Sequence, residues 1–435
     1  MSLSCNEVKS IHYIGKNVKI RGWVYRLRKQ KKNSFILVRD SRNGIIQAIF
    51  PTEIANRLTI ESSIEIEGLV KEDPRAPEGG YEIAGTKLKI FNIAQSDFPI
   101  GEYQSTEILL GNRHLALRSR RMIAMARIRS LVLKFARQWF SENCLTEITP
   151  PILVKGAVEG GSTLFKVDYF DEVAFLSQSA QLYLEAMIFC LGPVWCITPS
   201  FRAEKSRTIR HLTEFTHLEA ELPWASLEDI LKIQERLISS VVQNVTNEGQ
   251  QELSILGRNI ECLKAIEIPF DRLSYERAIE QLRSKDYKVV GQDEKARAIE
   301  WGDDLNIESE RELTKDAIKP LFVIGYPIQI KPFYVKEDPL IKNRGLSLDM
   351  LAPQGFGEIS TGGLREDDLT KIKERIKSEG LILDDYEWYL DLRRYGSIPH
   401  GGFGIGIERL VRWITNIEDI KDTCLFPRTP SRLAP

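Results

Sequence analysis

The chain has 435 residues, 43% of them hydrophobic, and a formal net charge of −1, because 60 lysines and arginines nearly balance 61 aspartates and glutamates. The length allows two domains with sizeable cores, and near-neutrality argues against a protein that coats nucleic acid indiscriminately, without excluding a local basic patch. The six cysteines form no CxxC pair, no signal-peptide profile opens the chain and no apolar run reaches membrane-span length, so we expect a soluble cytoplasmic protein with reduced thiols.

Residues 10–95 are predicted to form five short strands. The first is marked by Val18, Ile20 and Val24, which alternate with other side chains as in a half-buried strand. The other four runs cover residues 35–39, 45–50, 63–70 and 87–93. Ile54 and Leu58 follow the third run at helical spacing. Five strands with a helix between the third and fourth predict an OB-fold barrel.

A basic cluster precedes Phe35 in this region. Arg26, Arg28 and Lys29 belong to it, together with two further lysines. Cationic groups beside an exposed aromatic ring are typical of a surface that binds single-stranded nucleic acid. A solvated hairpin with Phe35 in the barrel core is the alternative.

A second domain is predicted after a polar connector. Apolar residues at helical spacing follow the connector, from Ile128 to Trp139, and the helix should end before Pro150. Beyond it, strands and helices alternate irregularly, which favours an α+β domain. We therefore predict an OB-fold domain at 1–100, a linker at 101–121 and an α+β domain at 122–435.

Two segments of the second domain could face a ligand. The glycine-rich loop 156–161 carries Glu159, which could face an ammonium group, although an ordinary surface turn is an equal alternative. Arg202 and Glu204 alternate on a predicted strand at 196–203, so both should point to one face. A guanidinium suits a phosphate, and a carboxylate can accept from an adenine amino group. His211 and Phe215 follow and favour an ATP site over a surface ion pair.

Two acids and a glycine-rich strand suggest the rest of that site. Asp349 and Glu358 lie on two predicted strands joined by a turn-rich segment, and paired carboxylates suit Mg²⁺ bound mainly through phosphates. Two unrelated acids at strand ends are the alternative. Arg365 follows closely and could bind a substrate carboxylate. Near the C-terminus, a glycine-rich strand enters a helix whose first turn carries Arg409, where anions bind well. No dinucleotide fingerprint or P-loop is present, so a different fold must bind the nucleotide.

In chain order, residues 147–150, 201–215 and 401–410 resemble the three signature motifs of class II aminoacyl-tRNA synthetases, and the class I signatures HIGH and KMSKS are absent. With an OB-fold ahead of them, the chain is similar to the aspartate/asparagine/lysine subgroup, most of all to its asparagine-specific members of archaeal and eukaryotic type. The resemblance runs over almost the whole length. It implies a catalytic domain built on an antiparallel sheet flanked by helices, and a homodimer formed through the first-motif helix.

The resemblance also implies roles for individual residues. Those implied to contact ATP are Arg202, Glu204, His211, Phe215, Glu358 and Arg409, with Arg202 and Arg409 as the catalytic pair. Asp349 and Glu358 would bind Mg²⁺. The OB-fold residues implied to contact the tRNA anticodon are Arg26, Arg28, Lys29, Phe35 and Gln47.

The resemblance implies that a smaller set of residues contacts the amino-acid substrate. Glu159 and Gln181 would meet its α-amino group, and Arg365 its side-chain carbonyl. Aspartate-specific relatives usually have a lysine where this chain has Leu184, and the neighbouring Glu185 could accept from a carboxamide while repelling a carboxylate. Asparagine is therefore favoured over aspartate.

The predicted function is ATP-dependent activation of L-asparagine and its transfer to the 3′ end of tRNA. The alternatives are an aspartyl enzyme, including one that charges both tRNAs, an adenylate-forming amide synthetase that ignores tRNA, and an inactive RNA-binding module.

Overall fold

The computed structural model describes residues 3–101, 104–158, 163–205, 208–290 and 296–435. The chain divides into two compact units, Met1–Ile123 and Ala124–Pro435. Across these described ranges, none of the helices combines the length and the apolar character that crossing a bilayer requires.

The first unit contains a closed five-stranded barrel. Its elements are β1 (Asn17–Lys29), β2 (Asn33–Arg39), β3 (Ile45–Pro51), α1 (Thr52–Ala55), β4 (Ser63–Glu72), β5 (Tyr81–Asn92), α2 (Thr106–Gly111) and α3 (Arg113–Ala116). The strand order is β1-β2-β3-β5-β4, with β3 and β5 parallel and the other pairs antiparallel. The predicted OB-fold is confirmed, including the short helix after the third strand.

Alternating side chains fill this barrel. Val18, Ile20 and Val24 of β1 are buried while their neighbours face outward, as the period of two predicts. The last strand begins at Tyr81, six residues earlier than the sequence predicts, because the turn before it ends at Gly80. Gly85 in this strand is required by packing, since a Cβ there would lie 2.2 Å from the ring of Phe50.

The second unit is built on an eight-stranded sheet. Its helices are α4 (Arg120–Glu142), α5 (Gln181–Leu191), α6 (Leu227–Glu248), α7 (Gln250–Ile255), α8 (Glu261–Lys264), α9 (Tyr275–Ser284), α10 (Ile307–Thr314), α11 (Leu369–Ser378), α12 (Glu387–Arg394) and α13 (Ile407–Thr415). The strands of the second unit, including those outside the sheet, are β6 (Thr146–Glu147), β7 (Leu153–Val154), β8 (Lys166–Tyr169), β9 (Glu172–Leu176), β10 (Val194–Phe201), β11 (Glu214–Pro223), β12 (Asp271–Ser274), β13 (Lys288–Val290), β14 (Ala296–Ala298), β15 (Leu321–Ile324), β16 (Ser347–Ala352), β17 (Gly357–Leu364) and β18 (His400–Gly406).

The order in this sheet is β12-β15-β16-β17-β18-β11-β10-β6. The strand pairs are antiparallel except at the two ends, where β12 pairs with β15 and β6 with β10 in parallel. The predicted antiparallel sheet flanked by helices is thereby confirmed. Strands β10, β11, β16, β17 and β18 lie side by side in its centre, although β10 (ending at Phe201) and β18 (beginning at His400) are far apart along the chain, and they carry or precede the residues predicted at the nucleotide.

Candidate active site

A cavity of about 340 Å³ opens in the central part of the sheet. It is lined by every residue that the sequence predicts at the nucleotide: Arg202, Glu204, His211, Phe215, Glu358 and Arg409. Asp349 lines the same cavity. The predicted ATP residues and the predicted metal pair therefore converge on one space.

Arg202 and Glu204 reach this cavity from a segment that is not a strand. The sequence predicts β10 through residue 203, but the strand ends at Phe201: Arg202 N–H still bonds to Thr213 O in the register of β11, whereas Ala203 N–H bonds to Thr163 O outside the sheet. Phe215 lies on β11, and its ring centroid is 5.4 Å from the Arg202 guanidinium. A cation and a flat ring therefore stand side by side, as a bound nucleoside phosphate requires.

The hairpin of β16 and β17 brings the two predicted metal ligands together. Leu351 pairs with Glu358 and Asp349 with Thr361, with an irregularity between Met350 and Leu351. Glu358 Oε1 accepts a hydrogen bond of 2.7 Å from Arg409, which stands in the first turn of α13. Burial opposes the charge of Glu358, but the Arg409 and Arg210 guanidinium groups lower the pKa of its carboxyl below the ordinary value.

His211 lies among cations on the same wall. Its Nδ1 is 2.6 Å from Thr208 Oγ1, and both residues belong to the turn between β10 and β11. Burial first, and then the charges of Arg409 and other arginines, lower the pKa of His211. The lowered pKa favours the neutral imidazole, and an anion that enters the cavity would favour the protonated form.

A smaller cavity of about 40 Å³ adjoins the first. Residues that line both cavities are His217, Lys331, Pro332, Tyr334, Thr361 and Gly404. Gln181, at the start of α5, and Arg365, just after β17, lie on the wall of the small cavity. Two of the residues predicted to bind the amino acid are thus placed next to the nucleotide-sized space. Glu159, the third, lies outside the described residues.

Glu185 requires a correction. The sequence predicts it beside the substrate, but the side chain has no exposed surface and does not line either cavity. Its Oε2 accepts hydrogen bonds of 2.7 Å from both Tyr389 and Arg393 and lies 3.0 Å from His400 Nε2. Its Oε1 accepts from Gln181 Nε2 at 3.0 Å. Glu185 therefore acts behind the cavity wall, where it holds side chains that reach the cavity.

Arg365 is held by a different acid. Its Nε and Nη2 donate to the two oxygens of Glu221 at 3.0 and 2.8 Å, and Glu185 is 3.9 Å away. Burial alone would lower the pKa of Arg365, but the two carboxylates raise it. Glu185, Glu221 and His400 lie close enough to hold a metal ion, yet Arg365 and Arg393 already supply the positive charge there.

Sequence reasoning missed Lys331, Glu219, Glu221 and Tyr334, all of which line the small cavity. Glu219 and Glu221 share the alternation of β11 with His217, so the strand period was a signal that could have found them. Glu219 accepts from Ser179 Oγ and from Ala180 N, and burial raises its pKa. Lys331 has no such signal, because it belongs to no strand and its partner, Asp349 of β16, is 18 positions further along the chain.

The barrel carries a separate cavity of about 460 Å³. Arg26, Arg28, Phe35 and Gln47 line it, and the Arg28 guanidinium lies 4.7 Å from the Phe35 ring centroid. Phe35 is half-buried and lines this cavity, so the alternative that it fills the barrel core is wrong. Lys29 does not line the cavity, because its ammonium donates to Asn56 O at 2.6 Å.

Known proteins resemble this chain over both of its units. Residues 105–430 match the family of class II tRNA synthetases for D, K and N, and residues 18–91 match the OB-fold nucleic acid binding domain. An asparagine–tRNA ligase of Thermococcus kodakarensis is 50% identical, covering 97% of this chain and 96% of that protein. The crystal structure of asparaginyl-tRNA synthetase from Pyrococcus horikoshii complexed with asparaginyl-adenylate superposes with a TM-score of 0.93 and 48% identity over the full length of both chains. A putative aspartyl-tRNA synthetase from Leishmania major has a TM-score of 0.86 and 25% identity, covering 100% of this chain and 95% of that one.

This chain belongs to the class II tRNA synthetases. The resemblance that its three motifs predict is confirmed, as is the subgroup with an N-terminal OB-fold. As a class II synthetase it is an aminoacyl-tRNA ligase, and ATP is its nucleotide substrate. The OB-fold is the nucleic-acid-binding part of the chain.

Proposed function

We propose that this protein activates L-asparagine with ATP and transfers it to the 3′ end of its tRNA. The observation that carries the proposal is the junction of the two cavities. Arg202 and Arg409 face the larger cavity, Arg365 faces the smaller one, and six side chains or backbone segments border both. An amino-acid carboxylate in the small cavity can therefore meet the α-phosphate of a nucleotide in the large one.

The nucleotide would be held by the residues of the large cavity. Phe215 supplies the stacking face for adenine, Glu204 accepts from its amino group, and Arg202 binds the α-phosphate. His211 and Arg409 contact the outer phosphates of a bent triphosphate. Support comes from their convergence in one cavity and from the 5.4 Å approach of Arg202 to the Phe215 ring.

The same residues serve the chemical step. The substrate carboxylate attacks the α-phosphorus in line, a new oxygen–phosphorus bond forms, and pyrophosphate leaves toward Arg409. The terminal ribose 3′-hydroxyl of the tRNA then attacks the adenylate carbonyl and releases AMP. No side chain of the motifs is an evident general base, so positioning and electrostatic stabilisation supply most of the acceleration.

The residues present suit Mg²⁺. Asp349 and Glu358 line one cavity with Asp304 and Glu310, and Asp349 Oδ1 is buried without a hydrogen-bond partner. Hard carboxylate oxygens of this type hold Mg²⁺ that also binds phosphates. Bound there, Mg²⁺ would neutralise negative charge on the triphosphate.

The amino acid would be held in the small cavity. Gln181 accepts from its α-amino group, and Arg365 donates to the side-chain carbonyl. Glu221 replaces Glu185 as the acid that accepts from the carboxamide nitrogen, because Glu221 lines the cavity and Glu185 does not. Glu159, whose loop lies outside the described residues, stays a predicted partner of the α-amino group.

The tRNA anticodon would be read at the barrel cavity. Phe35 stacks on a base, Gln47 recognises it with an amide that already donates to Glu82 at 2.9 Å, and Arg26 and Arg28 contact the backbone. Lys29 contributes charge at the edge. The domain limits of 1–100, 101–121 and 122–435, the homodimer and the cytoplasmic location remain predictions from the sequence.

Asparagine-dependent exchange of pyrophosphate into ATP tests the proposal. Arg202→Ala should abolish exchange by removing the α-phosphate ligand, with a loss of 100-fold or more expected from roughly 3 kcal/mol of lost stabilisation. Arg394→Ala removes an arginine paired with Glu387 and Asp391 outside both cavities and should retain wild-type exchange. Full exchange in a folded Arg202→Ala protein would refute the assignment, and preference of the wild type for aspartate would refute the substrate.

A further inference from the structure

Lys331 holds one of the two predicted metal ligands. Its Nζ is 2.9 Å from Asp349 Oδ2, and the two side chains are only 13% and 12% exposed. The same ammonium lies 3.8 Å from the ring centroid of Tyr326, which is buried. An ammonium thus stands at a carboxylate that would otherwise be an uncompensated charge in a site of low exposure.

Lys331 also stands at the meeting point of the two cavities. Among the residues that the structure describes, it is the only lysine or arginine that lines both. Arg202, Arg210 and Arg409 line only the large cavity, and Arg365 lines only the small one. The substrate carboxylate and the α-phosphate must meet at this junction, because each enters from one side of it.

Two cations on the one carboxylate of Asp349 repel each other even when each takes its own oxygen, because the two oxygens are only about 2 Å apart. A divalent ion that binds Asp349 and Glu358 together with ATP has the larger charge and adds phosphate ligands, so it would displace the ammonium. The released lysine then has four rotatable bonds with which to turn toward the junction, where negative charge has just accumulated. Asp349 Oδ1, which is buried without a partner, offers the entering ion a ready ligand.

We propose that Lys331 is an exchangeable internal cation: it occupies Asp349 in the nucleotide-free enzyme, gives way to Mg²⁺ when ATP binds, and then binds the reacting carboxylate and α-phosphate. The proposal rests on the metal site proposed above. It adds a residue to the reaction that none of the three motifs contains.

The first test is metal binding without ATP. Titration of the full-length enzyme with Mn²⁺, followed by electron paramagnetic resonance, should give a roughly tenfold lower Kd for Lys331→Met than for wild type, because the competing cation is gone. Lys331→Arg keeps the charge and should bind Mn²⁺ as weakly as wild type. Lys336→Met is the matched control, since Lys336 pairs with Asp367 at 2.5 Å in the same segment but lines neither cavity.

The second test is catalysis at saturating Mg²⁺. Asparagine-dependent pyrophosphate exchange should fall roughly 100-fold in Lys331→Met and stay at the wild-type rate in Lys336→Met. If the Met variant does not fold, Lys331→Gln, which keeps a hydrogen bond to Asp349, provides the same comparison. Equal Mn²⁺ affinity in the uncharged variant and wild type, or full exchange in that variant, would overturn the proposal. Absence of exchange in the wild type would instead overturn the proposed function.

Discussion

Arg365 lies between two buried carboxylates, and its surroundings explain substrate choice. Glu221 binds it through two hydrogen bonds, and Glu185, 3.9 Å away, is itself paired with Arg393. Two acids and two arginines leave no surplus positive charge before a substrate arrives. A carboxamide adds no charge to this balance, whereas a carboxylate would add an uncompensated charge beside buried groups. The small cavity therefore favours asparagine over aspartate.

Glu221→Gln should relax that selection. The substitution frees the charge of Arg365, so the ratio of kcat/KM for aspartate to that for asparagine should rise roughly tenfold, as measured by pyrophosphate exchange with each amino acid. Glu366→Gln is the control, because Glu366 is buried next to Arg365 in sequence but does not line the cavity. An unchanged ratio in Glu221→Gln would contradict the charge-balance argument.

Around the site, the side chains of one strand or helix restrict which residues fit on its neighbours. A Cβ at Gly402 of β18 would lie 2.0 Å from Glu221 Oε2, and one at Gly404 would lie 2.4 Å from His217 Nε2, both on β11. Glycine at these two positions makes room for side chains of the adjacent strand. Similarly, Glu185 of α5 ties α12 and β18 together through Arg393 and His400.

Glu185→Gln should destabilise the second unit, since it leaves Arg393 buried without its counter-charge. We expect a loss of about 3 kcal/mol in the free energy of unfolding, measured with urea at pH 7. Glu387→Gln removes a half-exposed partner of Arg394 on the same α12 and should cost less than about 1 kcal/mol. Equal stability of the two variants would mean that the buried network is not stabilising.

The pH dependence of stability follows from the same pair. Burial opposes the charge of Glu185, but Arg393 and His400 hold its pKa below the ordinary 4.5. The unfolded chain therefore binds more protons than the native state below pH 4.5, so this contribution is present above that pH and is lost as the pH falls. Glu185→Gln should remove this part of the acid sensitivity, and the difference in urea midpoint between wild type and variant should shrink below pH 4.5.

The two units give the chain two separable tasks. The second unit contains both cavities of the proposed activation step, and the first contains the barrel cavity with Phe35. In the proposed function, activation of the amino acid uses only the second unit, whereas charging of tRNA uses both. A defect in the barrel should therefore affect the second step alone.

Phe35→Ala tests that separation. Loss of one stacked base is worth about 1–3 kcal/mol, so kcat/KM for tRNA charging should fall roughly 5- to 150-fold, while asparagine-dependent pyrophosphate exchange stays unchanged. Phe91→Ala is the control, because Phe91 is an exposed aromatic on the same barrel beside Lys89, yet it does not line the cavity. Equal charging by both variants would remove Phe35 from the anticodon site.

The barrel and the nucleotide site were predictable from the sequence because each depends on residues that are close together along the chain. The alternation in β1 predicts the barrel, and the contiguous motifs predict that Arg202, Glu204 and Phe215 face one ligand, since few residues separate them. Even there, the strand predicted through residue 203 ends two residues early, at Phe201, and Ala203 N–H bonds to Thr163, which lies outside the sheet.

The roles of Glu185, Glu221 and Lys331 depended on partners far away along the chain. Arg393 is 208 positions from Glu185, Arg365 is 144 positions from Glu221, and Lys331, from a segment outside the strands, meets Asp349 of β16. A charge in a buried site is interpretable only together with the charges around it, and those come from whichever strands fold next to each other. Residue identity and spacing predicted the chemistry of the nucleotide site, whereas the balance of charge that selects the amino acid arose from the packing of distant segments.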